Sequence, residues 1–294
     1  MASEGDRRPD PEVVEARRSR LVSGLHLEAE GARGVAIALL STAIFITLVV
    51  VAVTQSAGWP EVHRVFFSWD DISSSFPEIA KAFELNVKIF VVCEVFILIL
   101  ALLLAVLRSL PGPVFFPLRA LATIYVDLAR GVPTIMVIAL LGYGAPALEL
   151  TGVPRSRVFW AGVGLILVYS GYVAEVYRAG IDSVHPSQDA AARSLGLSRF
   201  QSLRRVVLPQ AIRRVIPPLL NDFIGLQKDT ALVGTLGVVE AFNQAQIDSN
   251  ATFTFGSYLA AAVLFVALTI PLARLTDWLI ARDRRRRQAA GAFA

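Results

Sequence analysis

The sequence has few of the residues from which disulfides and metal sites are built. It contains one cysteine, Cys93, and three histidines in 294 residues. A single cysteine excludes a disulfide within the chain, and it excludes a metal site built from several thiolates. A phosphate-binding G-x-x-x-x-G-K-[ST] loop is also missing, so we expect this chain to hold no cofactor and to be no ATPase itself.

Charged residues are scarce, at 18% of the chain, whereas hydrophobic residues make up 55% and the mean hydropathy is +0.58. This composition predicts an all-α integral membrane protein. The formal net charge is +4, but the arginines are clustered between apolar runs, as they are in the loops of membrane proteins. We therefore interpret the positive balance as a topology signal and expect no nucleic-acid partner.

About six stretches are long and apolar enough to cross a hydrocarbon core roughly 30 Å thick. The first, Val35 to Val53, has no charged residue. It follows a longer polar segment than a cleaved signal peptide has, which favours a spanning helix. The other stretches cover residues 84–108, 114–143, 158–181, 211–245 and 256–281, and we expect 211–245 to be broken.

Arginines are distributed unevenly between the segments that connect these spans. If the N-terminus is cytoplasmic, the outer connections hold only Arg64, Lys81, Arg155 and Arg157. Such asymmetry sets orientation, so both termini are predicted to be cytoplasmic in a multi-pass protein of the cytoplasmic (inner) membrane. We divide the chain into a flexible cytoplasmic tail (1–33), an N-terminal span (34–55), an extracytoplasmic loop (56–82), a main membrane domain (83–282) and a basic cytoplasmic tail (283–294).

The stretch QDAAARSLGLSRF, residues 188–200, predicts a helix, a tight turn and a second helix. Gln188 to Ser194 favour a helix, Gly196 suits a left-handed position, and Ser198 can cap a helix that runs to Leu208, where Pro209 interrupts it. The flanking apolar spans leave no room for a DNA-binding domain. Two interpretations remain open: an amphipathic pair resting on the membrane surface and a docking site for a cytoplasmic partner.

Four motifs together resemble the permease subunit of ABC importers, in particular the polar amino acid uptake family. The run from Gly180 to Gly234 is similar to that family's EAA loop and the helix that follows, with the pattern E-A-A-x-x-x-G and, farther on, a leucine-proline pair. AEVYRAGI (174–181), DLARGVP (127–133) and LQKDTAL (226–232) resemble other family segments. In this comparison Asp189 replaces the glutamate, and the remaining positions are Ala190, Ala191, Gly196, Leu208 and Pro209.

The resemblance implies a five-helix permease core over residues 83–282, with the N-terminal span as an addition. The coupling loop, about 183–210, would sit in a cleft of an ATPase subunit and carry ATP-driven motion into the membrane. ATP and Mg²⁺ would be bound by a dimer of ATPase subunits. The other implied partners are a second permease copy or a sister permease, an extracytoplasmic amino-acid-binding protein, and membrane lipid.

Charged residues inside a span are costly, and they mark pathways by default. Glu94 interrupts the apolar run IFVVCEVFILIL. It is a candidate for the substrate pathway, and a structural hydrogen bond between helices is the equal alternative. Asp127 and Arg130, like Glu175 and Arg178, lie near span ends, which favours structural pairing.

The broken stretch 211–245 supplies the other pathway candidates. We expect Pro217, Pro218 and Gly225 to loosen the helix, because irregular backbone at membrane depth is tolerated where it lines a cavity. In the alternative interpretation, two neighbouring charges neutralise each other as a staple. The candidates are Asn221, Asp222, Lys228, Asp229 and Thr230, and the staple would join Lys228 to Asp229.

The resemblance favours a permease subunit of an ATP-driven importer for polar amino acids. An ion-coupled secondary amino acid carrier or channel, working without an ATPase, is the alternative from another class. A membrane-anchored scaffold is a third. The need for an ATPase partner separates the first from the others.

Overall fold

The computed structural model describes residues 11–291, and the side chains of 33–198 and 200–282. Over the described residues every regular element is helical, which confirms the predicted all-α class. The helices are α1 (Pro11–Thr54), α2 (Trp59–Phe66), α3 (Trp69–Ser109), α4 (Phe116–Gly131), α5 (Thr134–Ala147), α6 (Arg157–Asp182), α7 (Pro186–Ser194), α8 (Arg199–Ser202), α9 (Leu208–Asp229), α10 (Ala241–Thr252) and α11 (Gly256–Gly291). A π-helical turn, Leu203–Val207, joins α8 to α9, and a 3₁₀ helix, Thr230–Leu236, follows α9.

The described part of the chain divides into two compact units, and the boundary between them lies between His63 and Arg64. In the first unit, the apolar stretch Arg33–Thr54 is one uninterrupted helix with no buried residue, as a helix surrounded by lipid should be. That helix begins at Pro11, so residues 11–33 are helical rather than the flexible tail that we expected. Their sequence is rich in arginine, glutamate, alanine and leucine, which favour helix. Residues 1–10 lie outside the described range.

Two other connections differ from the expectation. The predicted outer loop, 56–82, is mostly helical, because α2 and the first turns of α3 lie within it. Ser68 caps α3 by accepting a hydrogen bond from the backbone N–H of Asp71 at 3.4 Å. At the other end of the chain α11 continues through the predicted basic tail to Gly291, and residues 292–294 lie outside the described range.

Four described helical segments are long and apolar enough to cross a membrane: Arg33–Thr54, Trp59–Ser109, Arg157–Asp182 and Gly256–Arg282. A fifth is possible if α4 and α5, which meet at 101°, form one bent span. The predicted count of six is therefore not confirmed.

The predicted span 114–143 is broken at Val132 and Pro133. Val132 is extended, with φ −96° and ψ 131°, and it ends α4. Proline disfavours the helical conformation in the residue before it and lacks the N–H that would continue the helix. The motif DLARGVP thus ends one helix rather than lying inside a continuous span.

The break in 211–245 comes later than expected. The helix α9 continues through Pro217, Pro218 and Gly225 and ends only at Asp229. Membrane helices tolerate internal proline because neighbouring groups satisfy the freed carbonyls. The irregular part is the 3₁₀ helix Thr230–Leu236, which ends at Gly237 with φ +72°.

The second unit is organised around α6, which contacts α3, α4, α5 and α9. Its core includes the fully buried Ile97, Val126, Ile138, Leu165 and Leu226, one or more from each of these helices. Small residues on α6 allow the close approach, as is usual between membrane helices. A Cβ at Gly171 would lie 2.6 Å from the Cβ of Ala129 on α4.

We expect Gly171→Ala to lower the unfolding midpoint of the detergent-solubilised protein. The added methyl group has no space against α4, and overpacking of this kind costs about 1–3 kcal/mol. Gly144→Ala is the matched control, because a Cβ at Gly144 meets nothing within 4 Å. Alanine has the higher helix propensity, so the control should be neutral or slightly stabilising. Equal midpoints for the two variants would contradict the close packing of α6 on α4.

Candidate functional site

The first helix of the loop, α7, is capped at both ends by local hydrogen bonds. His185 precedes α7, and its Nδ1 accepts a hydrogen bond from the backbone N–H of Ser187 at 3.2 Å. At the other end the N–H of Leu197 donates to Ala192 O at 3.3 Å, and the N–H of Gly196 donates to Arg193 O at 3.0 Å. This pair of bonds is a Schellman motif, and it requires the left-handed φ of +86° at Gly196. The predicted helix and turn are confirmed.

The second helix begins as predicted but does not end as predicted. Ser198 Oγ accepts from the N–H of Gln201 at 3.3 Å, and Gln201 Oε1 accepts from the N–H of Ser198 at 2.9 Å, which is a capping box. Pro209 was expected to interrupt the helix, yet the chain continues into α9. The π-helical turn before it bonds the N–H of Leu208 to Leu203 O, and Pro209 then occupies the first turn of α9, where no N–H is needed.

A side-chain hydrogen bond joins the two helices of the loop. Ser202, which is fully buried, donates from Oγ to Asp189 Oδ1 at 2.6 Å. Asp189 therefore holds the two helices of the loop together. Four residues separate Ala191 from Gly196, one more than in the pattern E-A-A-x-x-x-G. A register shifted by one residue would place Ala190, Ala191 and Ala192 on the motif.

The outer surface of the loop combines small and apolar residues. Ala190, Ala191 and Gly196 are exposed, whereas Ala192 is buried against the rest of the loop. Two large apolar side chains stand beside them, Leu195 at 85% exposure and Phe200 at 69%. Exposed apolar residues next to small ones are typical of a surface that a partner covers. The sequence motif had not singled out Leu195 or Phe200.

The loop is attached to two helices that pack on each other. Arg214 of α9 donates to the backbone carbonyl of Ser183, where α6 ends. Deeper in the pair, a Cβ at Gly180 of α6 would collide with Val215 of α9, so the backbones are very close. A displacement of the loop would therefore move the ends of α6 and α9 together.

Near the same end of α6, an ion-pair network joins three helices. Glu175 Oε2 accepts from Arg108 Nη1 of α3 at 2.9 Å, and Glu175 Oε1 accepts from Arg178 Nη2 at 2.5 Å. Arg130 of α4 is 4.0 Å from the same carboxylate, and Arg178 also binds Asp182. The predicted Glu175–Arg178 pair is confirmed. Arg130 faces Glu175, and Asp127 is in no ion pair among the described residues.

Three of the pathway candidates lie on α3 and α9, two helices that contact each other and α6. Glu94 of α3 and Asp222 of α9 are half-buried and close enough to repel each other electrostatically. Asp229 accepts a hydrogen bond from the Tyr169 hydroxyl of α6 at 2.9 Å. Asp222 Oδ2 is buried and has no hydrogen-bond partner within the described part of the chain. We call Glu94, Asp222 and Asp229 the carboxylate cluster.

The other candidates lie elsewhere. Asn221 and Lys228 are exposed. Lys228 and Asp229 form no ion pair within 4.0 Å, but the charge of Lys228 still attracts the Asp229 carboxylate, so the staple between them stays a prediction. Thr230 is buried, and its hydroxyl donates to Gln227 O at 2.8 Å.

A buried polar network that the sequence had not indicated anchors the 3₁₀ helix. Glu240 is fully buried and accepts from Asn86 Nδ2 at 2.8 Å and from the N–H groups of Phe242 and Asn243. Asn86 also donates to Thr230 Oγ1 at 3.2 Å and accepts from the N–H of Ala241. Because three donors bind the Glu240 carboxylate, it needs no cationic partner. The network therefore has a structural role, which is to connect α3 to α10.

Comparison with known proteins places these features in a family. Residues 97–285 match the family described as "Binding-protein-dependent transport system inner membrane component". The chain belongs to this family.

Individual relatives agree with the assignment. The permease is 37% identical over 210 residues to the probable amino-acid permease protein YxeN of Bacillus subtilis (strain 168), covering 71% of this chain and 92% of that one. It is 33% identical to the glutamate transport system permease protein GluC of Corynebacterium glutamicum, covering 69% and 92%.

The fold is also similar to solved structures. The permease superposes on a chain described as "Crystal structure of an amino acid ABC transporter with histidines" with a TM-score of 0.67 and 26% identity, covering 73% of this chain and 98% of that chain. The MetNI methionine ABC transporter gives a TM-score of 0.56 at 17% identity, which supports the fold alone.

Membership has direct consequences for the permease. It is a multi-pass membrane protein, and it works with a binding protein and an ATPase as partners. Permease subunits of this kind are not enzymes themselves. Polar side chains in the permease are therefore expected to bind and to transmit motion rather than to catalyse.

The hydrogen bond between Asp189 and Ser202 generates a prediction about loop stability. Asp189→Ala leaves the buried Ser202 hydroxyl without its acceptor, at a cost of about 1–3 kcal/mol. Amide hydrogen exchange over residues 186–208 should therefore become faster. Asp189→Asn keeps an acceptor oxygen and should retain most of the protection. The double variant Asp189→Ala/Ser202→Ala should be less perturbed than Asp189→Ala alone, and a simple sum of the single effects would contradict the bond.

Proposed function

We propose that this chain is the permease subunit of an ATP-driven importer for polar amino acids. It would form the translocation pathway and couple to a separate ATPase through the loop at 183–210. The observation that carries the proposal is the closed helix-turn-helix loop, whose exposed surface consists of Ala190, Ala191, Gly196, Leu195 and Phe200. The amino acid class follows the names of the relatives, which are amino-acid and glutamate permeases.

Coupling would run through α9. The loop leads directly into this helix through the pair Leu208 and Pro209, and the same helix carries Asp222 and Asp229 farther along. Movement of the loop by an ATPase would rotate or shift α9 against α3, which carries Glu94. The spacing of the carboxylate cluster would then change with each cycle of ATP binding, which is the requirement for alternating access.

The carboxylate cluster suggests which part of the substrate is held. Glu94 and Asp222 have no cationic partner among the described ion pairs, and Asp229 accepts a hydrogen bond from Tyr169 and is attracted by Lys228 without forming an ion pair with it. Uncompensated carboxylates at membrane depth are costly, and a positively charged substrate group relieves that cost. We assign the cluster to the ammonium group of the amino acid.

The partners follow the same proposal. Two ATPase subunits bind ATP and Mg²⁺, a second permease copy or a sister permease completes the pathway, and an extracytoplasmic binding protein delivers the amino acid. Both termini lie in the cytoplasm, in keeping with the distribution of arginine. The chain itself holds no cofactor.

Reconstitution tests the function directly. The permease is purified with the subunits that accompany it, inserted into liposomes, and assayed for uptake of labelled amino acids. Uptake should require ATP on the loop side and the binding protein on the other. Uptake by this chain alone, driven by an ion gradient, would establish the secondary carrier or channel instead.

Gly196→Asp should abolish uptake and reduce copurification of the ATPase. The substitution strains a left-handed residue and places a charge on the docking surface. Gly152→Asp is the matched control, because Gly152 also has a left-handed φ, +82°, with open space around it but lies between α5 and α6. Ala191→Trp adds bulk at an exposed position and should block docking without strain. Undiminished ATPase binding by both Gly196→Asp and Ala191→Trp would remove the loop as the docking site.

Asp222→Asn and Glu94→Gln should each lower uptake about tenfold or more, since a charge-assisted hydrogen bond to the ammonium group is lost. Copurification of the ATPase should remain unchanged. Glu84→Gln is the control on α3, because Glu84 is exposed and pairs only with Lys88, at 3.4 Å. Full uptake by both cluster variants would show that the ammonium group is bound elsewhere.

A further inference from the structure

A cavity that shares no residue with the carboxylate cluster lies beside the ion-pair network. It has a volume of about 580 Å³ and opens where the ends of α3 and α6 meet the start of α4. Three arginines line it, one from each helix: Arg108, Arg119 and Arg178. No acidic residue is among its lining residues. The cavity is therefore suited to an anion.

The positive charge at this cavity is only partly compensated. Arg108 and Arg178 bind Glu175, and Arg178 binds Asp182. Arg119 is in no ion pair with a described residue. Its Nη1 instead donates to Leu110 O and to Gly112 O, at 2.7 Å each. These two bonds fix the guanidinium, and its Nε and Nη2 have no hydrogen-bond partner within the described range.

An apolar strip leads away from the arginines along α4. Phe116, Ala120 and Ile124 line the cavity and follow one another at intervals of four residues, so they share one face of the helix. Phe116 is 63% exposed and Ile124 is 55% exposed. A ligand that complements the whole site has an anionic head and an apolar body.

We propose that this cavity binds the phosphate-bearing headgroup of an anionic phospholipid, with an acyl chain lying along the strip. Basic pockets between membrane helices recognise such headgroups. Arg119 supplies the uncompensated charge, and Arg108 and Arg178 supply further donors at fixed positions. The lipid belongs to the cytoplasmic leaflet, a placement that rests on the proposed orientation. The site does not depend on which solute is transported, because it shares no residue with the carboxylate cluster or the coupling loop.

Native mass spectrometry of the full chain, purified with its accompanying subunits, measures the binding. Phosphatidylglycerol and phosphatidylcholine are titrated separately. Phosphatidylglycerol should bind at least about five- to tenfold more tightly. Millimolar inorganic phosphate should not displace it. Displacement by phosphate, or equal binding of the two lipids, would overturn the proposal, as would lipid binding to the isolated chain but not to the complex.

Variants locate the site. Arg119→Gln should reduce phosphatidylglycerol binding about five- to tenfold, whereas Arg213→Gln, which removes an exposed arginine of α9 that does not line the cavity, should not. Ala120→Phe fills the cavity without changing its charge and should have the same effect as Arg119→Gln. If Arg119→Gln does not fold, Ala120→Phe tests by itself whether the lipid binds in this cavity. Unchanged binding in Ala120→Phe, or equal losses in Arg119→Gln and Arg213→Gln, would overturn the assignment.

Discussion

The close packing of α6 against α3, α4, α5 and α9 is the contact on which the other features of the second unit depend. Because Gly171 has no side chain, α4 approaches α6 closely, and Gly180 does the same for α9. The coupling loop begins where α6 ends and finishes where α9 begins, so both of its ends are held by helices that already touch. The carboxylate cluster lies on the same contact. A displacement of the loop would therefore reach α6 and α9 together.

Carboxylates that are fully paired have a structural role here, whereas those without partners are the ones that we assign to function. Glu240 and Glu175 are each satisfied by several donors, and they connect helices. Glu94 and Asp222 interact electrostatically, and no hydrogen-bond donor to either carboxylate is found among the described residues. Because an unpaired carboxylate at membrane depth costs free energy, its persistence calls for a ligand.

The coupling loop could be predicted from sequence because its structure is local. The left-handed glycine at Gly196, the cap at Ser198 and the alanine-rich helix before them depend on residues within a few positions of one another. Two predictions for the following segment, an interruption at Pro209 and a loosened helix at Pro217 and Pro218, were wrong because they depend on more distant parts of the structure. Pro209 follows a π-helical turn that ends with a hydrogen bond from Leu208 to Leu203, and α9 continues through Pro217 and Pro218 while packed on α3, α6 and α11. The helix break at Pro133 could have been predicted from the local effect of proline. It was missed because Pro133 lies within a long apolar run.

Composition and the spacing of apolar runs were sufficient to predict a helical membrane protein, since these properties depend on the local chain and on the bilayer. The resemblance of the motifs, the loop motif above all, pointed to the permease family. Tertiary structure alone decided which polar residues far apart in the chain meet. Glu94 is 128 residues from Asp222 in the chain (222 − 94), and Asn86 is 154 residues from its partner Glu240. No local pattern encodes such pairs, because their distances are set by the way in which α3, α6 and α9 pack.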